Sequence, residues 1–317
     1  MATCQLSLKI GLLNPAEWID ACPDLPLPLQ QHPTYGRALE SYGATAEQVT
    51  ISDNHHVIGR ALLIQRKFFG AIRFTTLFRG PIWCRENLPD KTKIEALKLL
   101  QNHFSPLRWN FLCTMPEMPD TLHNRTLLKH IKARRVMSGF STVWVDLRPS
   151  KEDLRAALKG KWRNQLTKAE KSNLAISVGG RKEHQYNWLL EKEAAQRSKR
   201  RYQATPLGLV PTFIKASTPK SASGLLSLTA LSGREKVAGA LFLLHGNSAT
   251  YHIGWANDTA RTLNAQNRIL WEGMLALKQK GIHFLDLGGL NTTDLAGIAR
   301  FKLGMGAEPL TLVGAYI

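Results

Sequence analysis

The chain has 317 residues, 44% of them hydrophobic, and carries 42 Lys and Arg against 24 Asp and Glu, a formal net charge of +18. That length supports two domains of ordinary size with buried cores, and the longest apolar run, Val237 to Leu244, is far short of the roughly 18 to 20 residues a membrane-spanning helix needs. Cys4, Cys22, Cys84 and Cys113 are scattered without a Cys-x-x-Cys pair, and residues 1–20 contain Asn14-Pro15 and Glu17, so the reading is against a disulfide framework, a zinc site and a signal peptide, and for a cytoplasmic protein.

In chain order, Gln48 to Ser52 reads as a strand, Asp53 to His56 as a turn, Val57 to Gln65 and Ala71 to Leu77 as strands, Lys91 to Phe104 as a helix and Arg108 to Thr114 as a closing strand. His55-His56 belongs to the turn, as a solvated pair rather than a metal site, since adjacent residues on a strand point to opposite faces. A basic, polar stretch, Met137 to Thr142, marks the boundary before a new strand at Val143. Ser150 with Asp153 three residues on resembles a capping box, and the helix that follows carries Leu154, Leu158, Leu166 and Ala169 along one face, leaving Lys161, Lys168 and Lys171 outward. Leu225 to Leu231, Val237 to Leu244 and Ala249 to Trp255 are strands separated by the turns Ser232 to Glu235 and His245 to Ser248. Asn264 to Lys280 is then a helix with Asn264 as N-cap and Gly281 as its stop, and Ile282 to Leu287 a buried strand. The two halves repeat one order of elements over a span that suits a duplicated domain rather than a solenoid.

The positive charge is clustered at Lys129 to Arg135, Lys159 to Lys171 and Arg197 to Arg201. Such a field attracts polyanions before specific contacts form. Transfer RNA, a pyrophosphate-linked sugar lipid and an anionic membrane surface all qualify, as does a merely solvated face.

Three motifs stand in order near the C-terminus: Tyr251 in the strand ending at Trp255, Asp286-Leu287-Gly288-Gly289 at a strand end, and Phe301-Lys302-Leu303-Gly304-Met305-Gly306. This order resembles the core of the GNAT acyltransferase superfamily and, in detail, the FemAB family of aminoacyl-tRNA-dependent transferases that build peptidoglycan cross-bridges. The resemblance extends to Val143 to Leu147 and Lys161 to Lys171, and more faintly to Gln31 to Arg37 and Arg79 to Trp83. It implies an α/β (α+β) fold of tandem GNAT-like domains with mixed, mainly antiparallel sheets flanked by helices; the boundary stretch sets these at residues 1–141 and 142–317, and no heptad run is long enough for the coiled-coil arm of some family members.

It also implies a reaction in which an amine attacks an activated carbonyl and forms an amide, with no nucleophilic residue required; positioning and electrostatic stabilisation suffice. Lys302 matches the lysine of the family's Phe-Lys pair, which the resemblance sets by the reaction centre, where a fixed ammonium could bind the tRNA terminal phosphate or the oxyanion, with Phe301 packed beside it. Arg163 matches a basic residue suited to a substrate diphosphate, and Arg37 is its candidate partner in the first domain. Tyr251 either orients substrate or is core; Asp286 either accepts the amine proton or caps the Gly288-Gly289 turn. His252 and His283 are the remaining candidate bases.

No bound cofactor is expected: the donor is aminoacyl-tRNA, with acyl-CoA or an acyl carrier protein as alternatives. Acetyl-CoA enzymes of the superfamily need glycines where backbone N–H groups approach a pyrophosphate, and Arg261-Thr262-Leu263-Asn264-Ala265-Gln266 has none. The implied acceptor is a peptidoglycan precursor such as lipid II or a similar amine, and the implied location is cytoplasmic, with peripheral association at the inner face of an anionic membrane. A non-catalytic nucleic-acid-binding protein accounts for the charge but leaves the C-terminal motifs unexplained.

Overall fold

The computed structural model describes residues 5–18, 25–85, 87–200, 204–218, 222–290 and 296–317; Cys4, Cys22 and Arg201 lie outside them. The chain divides into two units, Met1–Phe140 with Thr311–Ile317, and Ser141–Leu310.

The first unit runs β1 (Leu6–Leu12), α1 (Pro15–Trp18), α2 (Pro33–Glu40), β2 (Thr45–Asp53), β3 (His56–Phe68), β4 (Ile72–Phe78), β5 (Ile82–Trp83), α3 (Asp90–His103), β6 (Asn110–Met115), α4 (Leu122–His130) and β7 (Arg135–Met137). Strands β1 to β4 are antiparallel neighbours. Helix α3 then carries the chain back so that β6 lies parallel to β4, from Arg73↔Asn110 to Phe78↔Met115. Ile94, Leu97 and Leu100 share one face of α3, at helical spacing, and bury against Val49, Ile51, Ala61, Leu63 and Leu77 of the sheet. Each such side chain contributes about 1.5–3 kcal/mol by leaving water, which is what holds the crossover helix on the sheet.

The second unit runs β8 (Ser141–Asp146), α5 (Lys151–Ala157), α6 (Gly160–Glu170), β9 (Leu174–Gly179), α7 (Glu183–Arg200), α8 (Leu209–Ala216), β10 (Ser223–Ser232), β11 (Glu235–His245), β12 (Ser248–Ala256), α9 (Asp258–Thr262), α10 (Ala265–Gln279), β13 (Phe284–Asp286), α11 (Ala296–Leu303) and β14 (Pro309–Thr311). Its sheet has the order β14-β8-β13-β12-β11-β10-β9. Again three antiparallel strands, β10 to β12, lead through a crossover helix, α10, to a parallel neighbour, β13. Ile269, Leu270, Met274 and Leu277 of α10 pack with Leu228, Ala240 and Phe242 in the core. The expected duplication is therefore present as topology. The last strand, β15 (Ala315–Tyr316), pairs with β6 and β7 and so completes the first unit's sheet, a return that the expected 142–317 span did not anticipate.

Two local expectations are corrected. The helix starting after Ser150 is two helices, because Leu158 and Lys159 are extended, with ψ of 134° and 144°, and the Lys159 N–H donates to the Gly304 carbonyl at 2.9 Å instead of continuing the helix. The apolar face survives the break, since Leu154, Leu158, Leu166 and Ala169 are all buried. Ser150 does cap α5, accepting from the Asp153 N–H at 3.1 Å. Asn264, however, precedes α10 in the left-handed region (φ 53°) and makes no side-chain cap; its carbonyl instead accepts from the N–H groups of Asn267 and Arg268.

Candidate active site

The site grows from the place where β12 and β13 part. Strand β12 continues to Ala256, but its parallel ladder with β13 covers only Ser248↔Phe284, Ala249↔Leu285 and Thr250↔Asp286. Just beyond, the register with β11 shifts so that Tyr251 faces Phe242 and Ile253 faces Leu241, leaving His252 as the extra residue of a bulge. A bulge twists a strand and re-aims its side chains.

Asp286 closes β13, flanked by Trp144 on one side and Thr250 on the other. It is 1% exposed. Its Oδ1 accepts from the Thr142 hydroxyl at 2.6 Å and from the Gly288 N–H at 2.7 Å. Of the two readings of this residue, the capped turn is the one realised in the geometry: the carboxylate fixes the path of Leu287-Gly288-Gly289. A buried carboxylate needs such donors to remain ionised at tolerable cost.

That turn presents the Gly289 carbonyl to Lys302, whose Nζ donates to it at 2.8 Å from the last turn of α11. Lys302 is 9% exposed. Burial pushes its ammonium down to about 8, and the nearby Asp286 charge offsets part of that. An ammonium has three donors; with one committed to Gly289, two have no acceptor among the described residues.

The spacing of the Phe-Lys-x-Gly-x-Gly motif follows from packing. Phe301 lies against Trp162 of α6, ring centroids 5.8 Å apart. A Cβ at Gly304 would fall 2.6 Å from Trp162 Cδ1, and one at Gly306, whose φ is +89°, would fall 2.3 Å from the Ala157 carbonyl oxygen. Any larger residue would push α11 off α5 and α6, and with it the lysine. Phe301 and the two glycines thus seat the helix that delivers Lys302.

Tyr251 is partly buried, its ring 5.5 Å from that of Phe242 and its Oη accepting from Gln266 Nε2 at 2.8 Å. Burial raises its pKa well above the usual phenol range, so it stays protonated. Burial, with Arg197 nearby, pushes His252 down to about 4, so that ring is neutral near pH 7. Asp286, Gly288, Gly289 and Lys302 are therefore brought together, with Tyr251 one residue past the last β12–β13 pair. Arg163 is on α6 beside Trp162, exposed, its Nη1 donating to the Ala156 carbonyl at 3.2 Å. Arg37 is in the first unit, donating to the Leu13 carbonyl at 3.1 Å and paired with Glu40 at 3.3 Å. Sequence reasoning missed Thr142 and Gln266. Neither sits in a motif whose residue type announces a role; only the strand pairing and the crossover helix bring them to the site.

Residues 224–317 match the model of the FemAB family. No curated protein matches the sequence significantly. Among solved structures, FemX is similar over 97% of this chain and 96% of its own, with a TM-score of 0.77 at 12% identity. A conserved protein of unknown function from Bacteroides thetaiotaomicron aligns over 98% of both chains, with a TM-score of 0.58 at 13% identity. A tandem GNAT protein from the clavulanic acid biosynthesis pathway also aligns over 98% of both, with a TM-score of 0.54 at 11% identity. The FemAB resemblance and the tandem GNAT-like fold expected from the motifs are thereby shown, and together they support an acyltransferase. No helix among the described residues is long and apolar enough to cross a membrane.

Proposed function

We propose that the protein transfers an aminoacyl group from charged tRNA to the amino group of an acceptor, a peptidoglycan precursor or a similar amine, in the cytoplasm and at the inner face of an anionic membrane. The observation that carries this reading is Lys302, a desolvated ammonium held by the Gly289 carbonyl within the segment that matches the FemAB family.

In the step proposed, the neutral amine nitrogen attacks the ester carbonyl, a C–N bond forms, and negative charge develops on the carbonyl oxygen. A fixed cation in a dry setting stabilises that charge far better than one in water. Collapse breaks the ester C–O bond, and the released tRNA hydroxyl takes up the proton that the amine gives away. Lys302 is assigned the oxyanion or the tRNA terminal phosphate. Asp286 holds the turn and the local charge, and Phe301 seats the lysine's helix. Tyr251 and Arg163 are assigned to substrate, and Arg37 to the substrate side of the first unit.

The segment before α10 favours tRNA over acyl-CoA as donor. It forms the short helix α9 and, from Arg261 to Gln266, has no glycine to bring the backbone close to a pyrophosphate. Incubation with labelled aminoacyl-tRNA, acyl-CoA and acyl carrier protein, each with an amine acceptor, tests the choice. Label moving only from tRNA supports the reading, and label moving only from a thioester replaces it with an N-acyltransferase.

A further inference from the structure

One end of the first unit's sheet carries an exposed cluster separate from the residues above. The β3–β4 hairpin closes after the pair Phe68↔Ile72, through Phe69, Gly70 and Ala71. Strand β6 is parallel to β4, so the segment entering β6 arrives at this same end, where the Arg73 N–H donates to the Trp109 carbonyl at 2.8 Å. Phe69 is 97% exposed, Leu107 95%, Trp109 58% and Phe68 48%. A single exposed apolar residue calls for no explanation; four on two adjoining turns form a patch.

The backbone makes the composition more pointed. Phe69 and Trp109 both adopt positive φ, 50° and 54°, where glycine or asparagine is favoured and a bulky residue is strained. The chain therefore places large aromatics at two turn positions that local energetics would fill with small residues. Around them Arg66, Lys67, Arg73 and Arg108 are exposed. No Asp or Glu occurs from residue 54 to 85 or from 96 to 116, and none of the ion pairs among the described residues involves these four.

We propose that this end of the sheet docks on an anionic bilayer, with Phe69, Leu107 and Trp109 entering the headgroup region and Arg66, Lys67, Arg73 and Arg108 meeting lipid phosphates. Amphipathic aromatics and aliphatic tips lower their free energy at that depth, and each nearby cation adds electrostatic attraction. A nucleic acid calls for cations alone; here two almost fully exposed apolar side chains, Phe69 and Leu107, share the same turns as the exposed cations. The inference deepens the membrane part of the proposed function and needs none of its transfer chemistry.

The test is co-sedimentation of the full chain with phosphatidylcholine vesicles and with vesicles that also contain phosphatidylglycerol. The expected result is partitioning onto the anionic vesicles, weakened by salt. Phe69→Ser, Leu107→Ser and Trp109→Ser should each lower it roughly tenfold, and Arg73→Gln and Arg108→Gln roughly fivefold each. Phe69→Leu, which keeps an apolar tip, should retain it. All these positions are exposed, and unchanged melting temperatures confirm that the fold is kept. The inference is overturned if the wild type ignores anionic vesicles, if the triple serine variant binds them as well as wild type, or if that variant loses RNA-hairpin binding while vesicle binding is unmoved. Transfer to a water-soluble amine, assayed in parallel, is expected to be unaffected by the serine substitutions. Its absence in the wild type would remove the proposed function and leave the docking result standing.

Discussion

Replacing Lys302 by methionine keeps the unbranched stem and removes only the ammonium, so it separates the charge from the packing. The depression of the lysine from 10.5 to about 8 corresponds to about 3 kcal/mol against the charged form, the net of burial and the opposing Asp286 charge. The hydrogen bond to Gly289 returns about 1.5–3 kcal/mol, as expected for a charged donor. These nearly cancel, and Lys302→Met should therefore fold with a stability within about 1 kcal/mol of wild type, a shift of roughly 2–4 °C in a unit of this size. Transfer should fall by about 10²–10³, the usual loss on removing one oxyanion donor. The assay is single-turnover transfer from labelled aminoacyl-tRNA alongside a thermal melt. The pH dependence sharpens it: the protonated form acts, so the wild-type rate should decline as pH rises through about 8, and the variant's residual rate should lack that decline. Between about 8 and 10.5 the folded protein binds fewer protons than the unfolded chain, so wild-type stability should rise with pH across that window while the variant's does not. A variant with wild-type rate, or a wild-type rate that climbs through pH 8 with the lysine acting as a base, would refute the reasoning.

Three further outcomes are expected. Gly306→Ala meets both a φ of +89° and a carbonyl oxygen 2.3 Å from the new carbon, and should cost about 2–4 kcal/mol, visible as a lowered melting temperature; an unchanged melt would show that α11 can shift freely. Thr142→Val keeps the shape but leaves the buried Asp286 short of one donor, and a loss of about 1–3 kcal/mol in denaturant titrations is predicted. Arg163→Ala, at an exposed position whose side chain donates to the Ala156 carbonyl, should change stability by less than about 0.5 kcal/mol and raise the acceptor KM roughly tenfold; an unaltered KM would take Arg163 out of the site.

The elements with strong periodicity were legible from sequence. The apolar runs of β10 and β11 and the helical spacing of Ile269, Met274 and Leu277 in α10 each matched one template, and the structure realises them. Weak patterns were not read. Strand β1 alternates half-buried and exposed residues without burying one, and β9 does likewise, so neither offered the apolar run that marks a central strand. Helix α7 is polar over most of its length and carries only a faint stripe. In the site, Lys302, Asp286 and the motif glycines stood out because their types and spacing are constrained together. Thr142 did not, since a threonine at the start of a strand is ordinary until the strand across from it is known. Arg37 stood out as a cation, yet Glu40 lies three residues on and satisfies it within its own helix turn.

The strand formed by Ala315 and Tyr316 sits between β6 and β7, with Tyr316 facing Thr114 and Arg135 and only 2% exposed. During synthesis the N-terminal lobe must wait for the whole of the other lobe to emerge before its own sheet can be finished. Cutting the gene at residue 140 would therefore yield one fragment lacking an interior strand and another dragging a sticky apolar tail, and dissecting the lobes calls for a permuted gene in which residues 311–317 travel with the first half.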